Sequence, residues 1–224
     1  MITVLYFWDI PRASAPLAIA HMAIDRLSLR GNKNISFYKS LGTGTGKTFT
    51  PRDADATRWG LLVVIEESAF EKFHNSSLIN SWRKFAKSEY CAKLAPISSH
   101  GKWAGREPFL VNDAEPHVRK IAAITRARIK WRSQLLFWRA TPPVIESLHS
   151  QEGLIAAIGI GEAPIGLQGT FSIWRDAASL RAFAYKGEAH AAVIDETARR
   201  GWYSEELFAR FAVLEERGEL TQRS

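Results

Sequence analysis

The chain is expected to fold as an α+β protein in which one unit occurs twice, each half running β-α-β-β-α-β, the ferredoxin-like order. Two observations predict it. The succession of strand-like and helix-like segments in the first hundred residues returns after residue 118. Matched fragments also return at matched places: Leu41-Gly42-Thr43-Gly44 against Ile158-Gly159-Ile160-Gly161, then Gly60-Leu61-Leu62-Val63 against Gly169-Thr170-Phe171-Ser172. Two such halves in one chain can set their sheets face to face, giving a dimeric-α/β-barrel-like body with helices outside and an apolar chamber within.

In the first half, Ile2–Trp8 reads as a strand and Pro16–Leu29 as a helix, with proline suited to the first turn. Leu17, Ala20, His21, Ile24 and Leu27 share the apolar face of that helix. Strands are predicted at Ile35–Leu41 and Trp59–Ile65, one helix over Ala69–Lys87 and a strand near Ala92–Ile97. The second half gives a strand at Ile121–Lys130 and a helix over Ser133–Arg139, stopped by Pro142-Pro143. Strands follow at Leu154–Ile160 and Thr170–Trp174, then helical segments between Ala177 and Arg199. Glu205–Leu214 is read as a helical turn passing into a strand. The organisation is therefore a first repeat over 1–100, a Gly- and Pro-rich connector over 101–117, a second repeat over 118–214 and a polar tail over 215–224.

Composition excludes several classes. With 46% hydrophobic residues among 224, a globular fold is expected. The single Cys91 forms no internal disulfide, and Met1-Ile2-Thr3-Val4 opens a strand-like run without a secretory signal. No segment has the ~20 apolar residues of a membrane span. A cytoplasmic protein is expected, and its net charge of +7 suits peripheral contact with the inner membrane. The basic residues are dispersed and no aromatic-flanked basic motif is present, so no nucleic-acid partner is expected. There is no dinucleotide fingerprint and no zinc-type spacing.

Gly46-Lys47-Thr48 imitates a phosphate loop, but the required leading glycine would be at position 41, which is leucine, and Pro51 interrupts any following helix. This segment belongs instead to the connection between the second and third strands of the first repeat. Its counterpart after Gly161 is shorter by eight residues and has no lysine. Glycines two apart on a strand clear one face, so the Gly42/Gly44 and Gly159/Gly161 pairs admit either a close-packed helix or a flat ligand.

Ile121-Ala-Ala-Ile-Thr-Arg-Ala-Arg-Ile129, Phe137-Trp138-Arg139, Ile158-Gly-Ile-Gly-Glu-Ala-Pro164 and Thr170-Phe-Ser-Ile-Trp174 form an ordered set. So do Phe183-Ala-Tyr185 with His190, Gly201-Trp-Tyr-Ser-Glu-Glu-Leu-Phe-Ala-Arg-Phe211 and Gly101-Lys-Trp-Ala-Gly105. Together with Gly42-Thr-Gly-Thr-Gly46 and Phe49-Thr-Pro51, this set resembles the spheroidene monooxygenase family of carotenoid biosynthesis, over nearly the whole chain. The resemblance implies a haem-containing oxygenase that inserts O2-derived oxygen beside the end of a polyene to give a keto product. Haem b, O2, a long apolar substrate and an external electron donor are then the expected partners. A haem protein with aldoxime-dehydratase-like chemistry, or a non-catalytic haem or lipid carrier, stands as the alternative.

Oxidising an unactivated C–H bond requires a cofactor, and haem asks for one axial ligand, a flat apolar slot and cations for its propionates. His190 lies in the matching family segment and is the leading axial candidate; His21 is the rival, against an ordinary hydrogen-bonded role for either. Gly159 and Gly161 would leave room for the ring. Arg126 and Arg128 alternate with Thr125 and Ala127, so they would hold propionates if their face looks inward, and otherwise form a solvated strand end. Phe137, Trp138, Phe171, Trp174 and Phe183 would line a polyene pocket or pack as core. Glu162 is either a proton-handling group or a turn carboxylate.

Overall fold

The computed structural model describes residues 1–45, 53–111, 120–133, 136, 148–162, 167–186 and 203–220. The first repeat contributes β1 (Ile2–Asp9), α1 (Ala15–Gly31), β2 (Ile35–Gly44), β3 (Ala54–Ile65), α2 (Phe70–His74), α3 (Ser77–Arg83) and β4 (Ser88–Gly101). The second contributes β5 (Ile121–Ile129), β6 (Leu154–Gly161), β7 (Leu167–Trp174), α4 (Ala177–Lys186) and β8 (Tyr203–Arg217). The eight strands close into an antiparallel barrel in the order β1-β3-β2-β6-β7-β5-β8-β4. Each half keeps the ferredoxin-like order, and the expected α+β duplication is what folds.

Several expected boundaries shift for local reasons. The long helix of the first half breaks into α2 and α3 at Asn75-Ser76, where Ser76 caps α3 by accepting the Ile79 N–H. The helical turn expected before β8 is strand throughout: Glu205, Leu207, Ala209 and Phe211 alternate inward, so Glu205-Glu206 straddles the pleat. Of the expected helix over Ser133–Arg139 only Ser133, which ends a short 3-10 turn from Trp131, and Leu136 are described, and residues 187–202 lie outside the described residues. Helix α1 docks through Ala18, Asp25 and Leu29, with Met22 partly buried beside them. Its stripe of Leu17, Ile24 and Leu27 faces outward, the reverse of what an apolar face ordinarily does.

The two seams between the halves are unequal. Strands β4 and β8 pair through ten residue pairs, from Cys91↔Arg217 to Gly101↔Leu207. Strands β2 and β6 pair through three: Gly42↔Gly161, Thr43↔Ile160 and Gly44↔Gly159.

The interior is a core and not the open chamber expected from the sequence. Leu5, Phe7, Leu62, Leu94, Ile124, Ile158, Phe171 and Phe211 point into it and are buried. Phe7 on β1 and Phe171 on β7 lie four strands apart in the ring of eight, and their ring centroids are 5.8 Å apart. Two aromatic rings thus meet across the barrel axis, because inward positions of an eight-stranded barrel are just filled by side chains of this size. Among the described residues, side chains fill the barrel axis.

Candidate functional site

Two places in the second half gather functional side chains, one inside the barrel mouth and one on the outer face of the sheet. The inner one is an ion-pair plug. Arg126 is almost fully buried and donates to Glu205 and, at 3.1 Å, to Glu162. Glu162 also accepts from Lys39 and, at 2.6 Å, from the Trp103 indole N–H. The Arg126 guanidinium lies 5.4 Å from the Trp103 ring centroid, in cation–π contact. Trp103 arrives on a tight turn in which Ala104 (φ 55°) and Gly105 (φ 74°) are both left-handed. Their N–H groups donate to Glu205 at 3.0 and 2.7 Å, which offsets the cost of a left-handed alanine.

Both carboxylates stay ionised. Burial pushes the Glu162 carboxyl up, but hydrogen bonds from Lys39 and Trp103 and the charges of Lys39 and Arg126 outweigh it and hold the group below the ordinary glutamate range. Glu205 is likewise raised by burial and brought lower overall by the Gly105 and Ala104 amides and Arg126. An ionised, fully bonded Glu162 holds the plug together; it has no proton to give near neutrality. The sequence pointed to Arg126 and Glu162, but Lys39, Trp103 as a partner, and Glu205 were missed. Their one legible signal was inward parity on β2 and β8.

The outer site follows from matching the repeats through their registers. Tyr6 pairs with Leu61 as Thr125 pairs with Thr170, and Phe7 pairs with Gly60 as Arg126 pairs with Gly169. Val4, Tyr6, Trp8, Leu61 and Val63, on the outer face of the first sheet, therefore correspond to Ala123, Thr125, Ala127, Thr170 and Ser172 on the second. The first set is buried under α1, α2 and α3. Tyr6 stacks on Trp8 and Trp8 on Trp82, with centroids 5.3 and 4.8 Å apart. The second set is small, and Thr125 is exposed.

The glycine pairs extend this small-residue face. Ile158 and Ile160 point into the barrel, so Gly159 and Gly161 point out. An added Cβ at Gly159 would meet the Gly44 backbone at 3.4 Å or more, and one at Gly42 only the Gly161 carbonyl at 3.6 Å. Neither glycine is demanded by the described chain. Gly169 differs: a Cβ there would lie 2.4 Å from the Thr125 carbonyl oxygen. At the other end of the face stand Trp174 and Phe183, stacked at 5.4 Å, above Ala123, Ala157, Leu148 and Leu180. The Trp174 indole donates to Ser172 at 2.9 Å.

The candidates named from sequence are thus divided. Gly159, Gly161, Trp174 and Phe183 belong to the outer face, Arg126 and Phe171 to the barrel interior, and Arg128 to its exposed rim. The arginines and the glycines do not share a face. His21 sits in the first repeat between Asp25 (3.7 Å) and Ser81 (3.5 Å), packed on Trp82 and Phe85. His190, Phe137 and Trp138 lie outside the described residues. In the first repeat, His74 is also committed: Arg83 donates to its Nε2 at 2.9 Å, so Nδ1 carries the proton and donates to the Tyr6 hydroxyl at 3.1 Å. Burial, then the charges of Arg83 and Arg217, hold that imidazole below the ordinary histidine range.

No family model matches the chain. The spheroidene monooxygenase of Rhodobacter capsulatus is 36% identical over 206 residues, covering 90% of this chain and 85% of that protein. The chain belongs to the spheroidene monooxygenase family. The enzyme of the same name from Rubrivivax gelatinosus is also 36% identical, over 82% of this chain and 71% of its own length. For the one from Cereibacter sphaeroides the identity is again 36%, with 61% of that longer protein covered. Spheroidene monooxygenases are oxidoreductases, and this member is a monooxygenase by that relationship. Among solved structures, an aldoxime dehydratase in complex with butyraldoxime superposes with a TM-score of 0.59 over 96% of this chain and 79% of its own, at 10% identity. A second aldoxime dehydratase gives 0.55. At such identity these share the barrel fold of this family member and nothing finer.

Proposed function

We propose that the protein is a haem-dependent monooxygenase that converts a carotenoid of the spheroidene kind, or a similarly long apolar molecule, into a keto product. One observation carries the reading: at positions matched by register, the outer face of the second sheet has Ala, Thr and Ser where the first has Val, Tyr, Trp and Leu. Such a face fits a flat apolar group, since the rings that fill the same place in the first repeat are missing from it.

Haem bound there would supply the activation of O2 that amino-acid side chains cannot provide. His190 is the residue proposed to hold its iron, on the strength of the family segment it occupies. Gly159, Ala127 and Thr125 would let the ring lie close to the sheet, and Thr125 and Thr170 offer the face hydroxyls. Trp174 and Phe183 form an aromatic wall against which a polyene can pack. Arg126 takes no part in this site, being held by two carboxylates on the other side of the sheet. Electrons come from an external donor.

The absorption spectrum of the purified protein with haem tests the cofactor: a Soret band is expected, and its loss in His190→Ala. Absence of any band in the unmodified chain overturns haem. With haem bound, incubation with spheroidene, a reductant and O2 is expected to give a keto product by mass; no product overturns the substrate.

A further inference from the structure

Helix α1 presents an apolar surface to solvent. Leu17 is 46% exposed, Ile19 59%, Ile24 64% and Leu27 75%. With Ala20 and Ala23, also exposed, Leu17, Ile24 and Leu27 occupy about 120° of the helix circumference at 3.6 residues per turn. Ile19 lies just beyond that arc. Isolated exposed leucines are commonplace, but a contiguous patch on one helix marks an interaction surface.

The surrounding charge names the occupant. Arg26 and Arg30 border the apolar arc, Arg12 precedes the helix and Lys33 follows it, and all four are exposed. The single carboxylate of the helix, Asp25, is turned away into the protein, where it accepts from the Trp82 indole N–H at 2.7 Å. A solvent-facing helix with apolar residues at its centre, cations at its border and no exposed acid within it complements an anionic lipid bilayer. At 17 residues the helix is ~25 Å long. It is not among helices long and apolar enough to cross a membrane; none of the described ones is.

We propose that α1 is a membrane-surface anchor, lying in the headgroup region of an anionic bilayer with Leu17, Ile24 and Leu27 inserted. Cosedimentation with vesicles tests this without any turnover, so its outcome is independent of the proposed haem and substrate. The full chain is expected to bind vesicles containing phosphatidylglycerol at least tenfold better than pure phosphatidylcholine, and to be released as salt rises. The triple variant Leu17→Gln/Ile24→Gln/Leu27→Gln changes only exposed side chains; it is expected to keep the wild-type melting temperature and lose most vesicle binding. A second variant, Arg26→Gln with Arg30→Gln, is expected to weaken binding to the anionic vesicles alone. Failure of the wild type to bind either vesicle overturns the proposal, as does unchanged binding by the triple variant. Sedimentation velocity supplies the other decisive outcome: a wild-type dimer that the triple variant dissociates, with no vesicle binding, makes this face a self-association surface instead.

Discussion

The outer faces of the two sheets began from one pattern and diverged. In the first repeat, β1 sends Val4, Tyr6 and Trp8 outward into a layer closed by Phe70, Phe73, Ile79 and Trp82. In the second, β5 sends Ala123, Thr125 and Ala127 outward, and the glycines of β6 continue the small-residue surface. The inward faces differ less: Leu62 matches Phe171, and the glycine opposite Phe7 matches the glycine opposite Arg126. The barrel is thus common to both repeats, while the outer layer of the second packs at one end only, around Trp174, Leu148 and Leu180. Under the proposed function the first repeat is scaffold and the second houses the chemistry.

The comparison breaks hardest in the first repeat. Trp8→Ala removes a fully buried ring that stacks on Tyr6 and Trp82 and bonds Glu89 at 2.7 Å. A loss of about 3–5 kcal/mol is expected by denaturant titration, whereas the matched position of the second sheet, Ala127, has no ring to remove. Arg126→Met follows. It removes the cation shared by Glu162 and Glu205, leaving Glu162 with Lys39 and Trp103 and Glu205 with two backbone amides, and breaking such a buried pair costs about 3 kcal/mol. The double variant Arg126→Met/Glu205→Leu should regain part of that loss.

Acid attacks the same plug more gently. The native carboxyls of Glu162 and Glu205 sit below their unfolded value of 4.5. Their contribution is therefore complete above that pH and is lost as pH falls through the depressed native values. Thermal unfolding followed from pH 7 downward should show a decline beginning below pH ~4.5, and this decline should be shallower in the Arg126→Met/Glu205→Leu/Glu162→Leu variant, which keeps the lowered carboxyls of Glu67, Glu71 and Asp176. The smallest change in stability is expected from Thr125→Tyr, which restores on the second sheet the residue type of the first. Thr125 is exposed, so the melting temperature should hold within the ~0.5 kcal/mol typical of surface changes. The Soret band should nevertheless fall, because the added ring occupies the surface proposed for haem. A normal band would show that haem lies elsewhere.

Much of this architecture was readable before any coordinates, and the reason is periodicity. Alternation along Ile121–Ile129 and Leu154–Gly161 announces strands, and the paired Gly-x-Gly segments announce the duplication and, as it turned out, the very rungs that join β2 to β6. What escaped was whatever depends on partners far apart in the chain. Arg126 meets Glu162 and Glu205 from 36 and 79 residues away, and no spacing rule reaches that far. The chamber expected from the doubled sheets failed because Phe7 and Phe171 meet across it, a matter of side-chain reach. Helix α1 misled in the opposite sense: its best apolar stripe faces solvent, and it docks through Asp25, which a polarity pattern assigns to water.

The barrel is a bracelet with a long hinge and a short catch. Ten rungs bind β4 to β8, but three bind β2 to β6, and four of the six residues there are glycines without side chains to grip. Local opening follows the weakest edge, so amide deuteration should reach Gly42–Gly44 and Gly159–Gly161 well before β4 or β8. The catch borders the small-residue face of the second repeat, and the Lys39–Glu162 pair spans it from the barrel side.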